Sequence, residues 1–199
     1  MIDIKKEVRM RINKEFLKSL EPCDNRYNNY LEHHSDFDGS FSDFLDLDGI
    51  HYEDKLWVTK KILNKNQAVN WSILCADSVV HVFEHECPND NSVSNCINYL
   101  KTFEDFDTLT IDERLEIEKH VDANNKHFRA FPRTTDYIYT ARDASRAATY
   151  YAAYSAASYA YTNPAFDTAS YTIVSNTSYT TKQNQKALNL QFLKQVTSV

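Results

Sequence analysis

ARDASRAATYYAAYSAASYAY, residues 141–161, decides how the rest of the chain is read. It holds neither Gly nor Pro and consists mostly of Ala, Ser and Tyr. At helical spacing, Ala141, Ala144, Ser145, Ala148, Ala152, Ser155 and Ala156 share one arc. Arg142, Asp143, Arg146, Tyr150, Tyr154 and Tyr161 fall on or towards the other side. An arc of small side chains lets a second helix approach to ~8 Å between axes. The tyrosines supply contact area that Ala cannot, and each carries a hydroxyl that wants a partner. The expectation is an all-α, compact multi-helix bundle with Ala/Tyr-rich central helices. Those Ala-rich helices also offer a surface on which copies of the chain could pair.

Composition agrees with this reading. The 199 residues suit one domain large enough to bury most of its apolar surface. The expected layout is a single helical domain over 1–199, with 1–43 an N-terminal extension and 44–199 the helical body. Hydrophobic content of 42% and charged content of 25% are those of an ordered globule, which excludes global disorder. Two Gly and four Pro leave little turn punctuation for a many-stranded β fold. A net charge of −6 argues against binding a nucleic-acid duplex through its phosphates. No apolar run approaches ~18 residues, so no membrane span is expected. The opening MIDIKKEVRMRINKEF is charged throughout and does not read as a signal peptide, which makes the cytoplasm the default location. Cys23, Cys75, Cys87 and Cys96 form no CxxC pair and read as reduced core thiols.

Taken in order, Ile4, Val8, Ile12 and Phe16 stand at i+4 steps and predict a helix over 2–20, stopped by Pro22. Residues 23–40 are polar and Asn-rich. Asp36 to Ser40 resembles a calcium-loop fragment, but Leu47 stands where the closing acid belongs, so a plain turn is expected. Ser40 or Ser42 caps a short helix through Leu47, and a helix runs from about 53 to 63. A strongly apolar helix follows over 67–86, then one over 93–103. Thr110 and Glu113 form a capping box that opens a charged helix over 111–126, burying Leu115, Ile117 and Val121. After the Ala/Tyr stretch, Asn163-Pro164 starts a further helix. Residues 169–181 have local β propensity but keep an i+4 step and are expected to be helical. Ala187 to Val196 form a closing amphipathic helix.

Three pieces in order carry a family pattern: FLDLDGIHYEDKLWVTKKIL (44–63), WSILCADSVVHVFEHECPNDNSVSNCINYLKTF (71–103), and the Ala/Tyr-rich 141–161 with the C-terminal helix. The matching residues are Gly49, Asp54, Leu56, Trp57, Cys75, Ala76, Asp77, Val80, Phe83, Glu84, Pro88 and Asp90. In order and spacing they resemble the Imm-5-like immunity proteins of bacterial polymorphic-toxin loci and phages. The resemblance covers about 44–196. It departs in the extra Tyr, Thr and Ser of the alanine helices and in the charge of 107–127. What it implies is a non-enzymatic all-α inhibitor that binds a protein toxin or antiphage defence effector, with no cofactor, in a bacterial cell or phage-infected host.

The residues themselves raise two other chemistries. His81, Glu84 and His85 match H-x-x-E-H, with Asp77 one turn earlier, so a zinc-dependent hydrolase is one alternative. No third ligand can be named from the sequence, and the plain reading is a polar edge on a buried helix, with Asp77 and Glu84 bonding the imidazoles. Arg142 and Arg146 beside Tyr150, Tyr154 and Tyr161 could hold the phosphate and stack the base of a small signalling nucleotide. The same five residues are equally a protein-partner surface, or simply helix-pairing side chains. No G-x-S-x-G elbow occurs, and two glycines exclude a Gly-rich phosphate loop.

Overall fold

The computed structural model describes residues 11–129, 141–157, 162–174 and 179–198. It is all-α in class, apart from one short two-stranded ribbon. Its contacts divide the chain into two compact units, up to Ile62 and from Leu63 onward. The segment 44–62, which opens the family pattern, lies in the N-terminal unit.

In the N-terminal unit the first described element is β1 (Arg11–Asn13), which pairs antiparallel with β2 (Asp38–Ser40), Ile12 facing Gly39. Arg11 donates from Nε to Asp38 at 2.8 Å and closes the ribbon. The helix expected over 2–20 is therefore corrected. Its 2–10 part lies outside the described residues, and among the described residues helix begins at α1 (Lys14–Ser19). The cause is Asn13, whose side chain accepts from the Phe16 N–H at 2.9 Å and caps α1 from an extended backbone. The Asn-rich stretch that offered no periodicity is α2 (Asp24–His34), and the expected turn at 36–40 contains β2. Ser40 caps α3 (Phe41–Asp46) in a reciprocal box with Asp43. Gly49, at φ 72, makes the left-handed turn into α4 (Tyr52–Ile62).

In the second unit, Asn64 and Gln67 box the start of α5 (Lys65–Asp77). The single helix expected over 67–86 is broken at Ser78 and Val79, and α6 (Val80–Glu86) follows. Ser78 returns its hydroxyl to the Cys75 carbonyl at 2.7 Å, and Val79 leaves helical geometry at φ −119. Then come α7 (Ser92–Leu100), α8 (Ile111–Arg129), α9 (Ala141–Ala157), α10 (Thr162–Val174) and α11 (Tyr179–Thr197). The helical reading of 169–181 holds wherever the residues are described, with 175–178 outside them.

α9 packs against α5, α6, α7, α8 and α10. Ala148, Ala152, Ser155 and Ala156 are buried as the arc predicts, and burial extends further to Ala147, Thr149 and Ala153. That face is used inside the chain. A continuous core joins these alanines to Val69, Ile73, Phe83, Ile97 and Ile117. Leu115 is the exception to the expected core: it is exposed, while Ile117 and Val121 of the same helix are buried.

Replacing Ala152 by Leu should therefore overpack this core and lower the unfolding free energy by roughly 1–3 kcal/mol, read from a denaturant titration. An unchanged midpoint would mean that space remains beside α9.

Candidate protein-binding surface

The residues expected to form a surface separate in the structure. Arg146 is the main correction. It is 7% exposed, because its guanidinium turns into the fold. It donates to Ser92 Oγ at 3.1 Å, lies 3.5 Å from the Asp90 carboxylate and sits 5.0 Å over the Phe83 ring. Asp90 in turn accepts from the Ser92 N–H at 2.9 Å. Arg146 thus fastens α9 to α6 and to the turn before α7, and it is engaged with protein groups rather than presented to a nucleotide phosphate. The side chains of Arg142 and Tyr161 lie outside the described residues.

The tyrosines form a chain of rings. Tyr154 is 43% exposed and stacks parallel on half-buried Tyr150, with 6.2 Å between centroids. Tyr150 meets Tyr151 edge to face at 5.0 Å, and Tyr151 stacks on Tyr171 of α10 at 5.2 Å. Only the Tyr154 end of this series is exposed.

Sequence reasoning found α8 but missed its exposed apolar pair. Ile111 is 78% exposed and Leu115 51% exposed, one helical turn apart. The signal was present: Ile111 and Leu115 form one i, i+4 strip, Ile117 and Val121 another, about 120° away around the helix axis. A helix lying against one side of a core buries one such strip. From 111 to 122 the helix also carries Asp112, Glu113, Glu116, Glu118 and Asp122 against Arg114 and Lys119. The capping box is as expected, with Thr110 N–H and hydroxyl both donating to Glu113 at 2.7 Å. Those bonds hold the Glu113 carboxyl below its usual range, and Lys119 does the same for Glu116, so both stay ionised. Arg114 donates to the Ala157 carbonyl at 3.3 Å, capping the end of α9 with a cation and fixing the start of α8 beside it.

The H-x-x-E-H residues sit on α6 as an exposed edge: His81, Glu84 and His85 all face solvent. Asp77 ends α5 and pairs with Lys101 at 2.6 Å, and His85 lies 3.8 Å from Glu86. Among the described residues, no three His, Cys, Asp or Glu side chains gather as a metal site. Burial pushes the Cys96 thiol up to about 12 and Cys75 up as well, which suits core packing rather than nucleophilic attack. Cys23, by contrast, is exposed, so the reading of all four as core residues is corrected. No described helix is long and apolar enough to cross a membrane.

The family-pattern residues have structural places too. Cys75, Ala76, Val80 and Phe83 are buried. Phe83 and Asp90 are the residues that receive Arg146. Comparison with protein-family models, with curated proteins and with solved structures finds no match to this chain.

Arg146 and Tyr154 should respond oppositely to truncation. Arg146→Ala should lower stability by roughly 1–3 kcal/mol, since it removes the hydrogen bond to Ser92 and the ion pair with Asp90 at a partly buried site. Tyr154→Ala should stay within about 0.5–1 kcal/mol of the parent. Urea titrations of the two variants check this directly.

Proposed function

We propose that the chain is a non-enzymatic inhibitor of the immunity type, which binds and neutralises a protein toxin or antiphage defence effector by direct contact. The observation that carries the reading is the Ile111–Leu115 pair. Two large apolar side chains stand one turn apart in water on a helix whose other exposed groups are mostly acidic. An apolar anchor ringed by ionised carboxylates matches a partner with an apolar pocket and a basic rim. The resemblance to Imm-5-like immunity proteins points the same way. In this reading the Ala/Tyr-rich α9 is the centre of the bundle and holds α8 in place, with Tyr154 at the margin of the contact. Such an inhibitor works in the cytoplasm of a bacterial cell or phage-infected host, and it needs no cofactor.

The test is the double variant Ile111→Asp with Leu115→Asp. Both positions are exposed, so helix content and melting temperature should hold. Tagged parent and variant are used to capture proteins from the host, followed by mass spectrometry and an affinity measurement on the captured protein. The expected result is one protein held by the parent and weakened about 30-fold or more in the variant, the loss of roughly 2 kcal/mol typical of a central apolar anchor. Equal retention by both would place the contact elsewhere and remove the basis of the proposal.

A further inference from the structure

Within the N-terminal unit lies a cleft of about 340 Å³, near the lower end of the range of about 300–1,000 Å³ usual for small-molecule sites. Its walls are largely aromatic: Tyr27 and Tyr30 from α2, Phe44 from α3 and Trp57 from α4. Leu17 of α1, Val58 of α4, Pro22 and Ile50 add to the apolar lining. Helical spacing places these groups. Tyr27 and Tyr30 are three residues apart on α2 and stack with 6.4 Å between centroids. Tyr30 is 4% exposed, and burial pushes its phenol up to about 12, so it offers a neutral ring at physiological pH.

The mouth is charged, and unevenly so. Glu21, Glu53 and Asp54 contribute three carboxylates, and Arg26 one guanidinium, which donates to Asp54. Glu21 is held in place by an unusual backbone. It takes φ 58 directly after the end of α1, where glycine is the ordinary residue, and it precedes Pro22. For a residue with a side chain that conformation costs about 1 kcal/mol. It is fixed by the Glu21 N–H bond to the Lys18 carbonyl at 3.1 Å. Strain of this kind at the lip of a cleft is a reason to look for a ligand there. Lys61 lies 5.6 Å over the Trp57 ring without lining the cleft.

We propose that this cleft binds a small organic cation with a flat apolar body, the body lying among Tyr27, Tyr30, Phe44 and Trp57 and the ammonium end at the Glu21 and Glu53 carboxylates. Aromatic faces attract a cation through their quadrupoles, and a carboxylate-rich mouth adds Coulombic attraction. The same mouth repels phosphates, so the ligand class is distinct from the nucleotide considered for α9. The proposal stands on residues 11–62 alone and does not depend on the inhibitor reading.

The chain supplies its own reporter. It has two tryptophans; Trp57 lines the cleft, and Trp71 is fully buried in the other unit. The full chain is titrated with 4-phenylbenzylamine, and with biphenyl-4-carboxylate as the anion of nearly the same body. Indole emission is excited where neither probe absorbs. The expected result is a saturable change with the amine and about tenfold or weaker binding of the carboxylate, with the amine response absent in Trp57→Phe. Glu21→Gln and, separately, Glu53→Gln should each weaken the amine several-fold at unchanged helix content. Calorimetry follows the same binding without the reporter. Equal binding of both probes, no saturable binding by either method, or a response that survives in Trp57→Phe would each overturn the proposal.

Discussion

α9 packs against five helices because its buried residues are Ala, Ser and Thr, Arg146 excepted. A helix in contact with five others leaves no room for long side chains between the backbones. Ala147, Ala148, Ala152, Ala153 and Ala156 are each at 0% exposure. Bulk is supplied from the facing helices α5, α6, α7 and α8, by Val69, Ile73, Phe83, Ile97 and Ile117. Small-to-large pairing of this sort fills a core at normal density without strained rotamers.

Close packing brings polar groups together, and several of them are matched across helices. Ser72 of α5 and Ser155 of α9 meet Oγ to Oγ at 3.0 Å. Asn189 of α11, fully buried, donates to the Ala169 carbonyl at 3.3 Å and to Thr172 Oγ1 at 3.1 Å, and accepts from Gln185 at 2.9 Å. Gln185 also reaches Ser78 at 2.9 Å, and Trp71 donates from Nε1 to the Asn189 carbonyl at 2.9 Å. One residue of α11 thus ties that helix to α5 and α10. Buried amides that find partners this completely contribute to a single register, since a shifted helix would strand several of them at once.

The parts of this fold legible in the sequence were those set by local rules. The cap offered by Ser40 or Ser42, the capping box at Thr110, the start of a helix near Asn163-Pro164 and the alanine arc of α9 all follow from side-chain chemistry within one turn. Parts set by tertiary contact were not legible. α2 is Asn-rich and has poor intrinsic propensity, and Tyr30 is its one buried residue. Arg146 was read as a surface cation because its partners, Ser92 and Asp90, lie more than fifty positions earlier. Leu115 was read as core because the competing strip at Ile117 and Val121 was not weighed against it.

The two candidate sites divide along the same line. The α8 strip is an apolar pair left over when the helix committed its other side to the core, and the cleft of the N-terminal unit depends on side chains from four helices meeting. The α8 strip presupposes that the bundle around α9 does not open in the native state. Amide hydrogen exchange with mass spectrometry measures this most directly. Residues 146–157 should be the slowest class, opening only with global unfolding and with the same free energy as the denaturant transition. Exchange of 146–157 at a lower free energy, while α7 and the first turns of α8 stay protected, would contradict the dependence of the fold on α9.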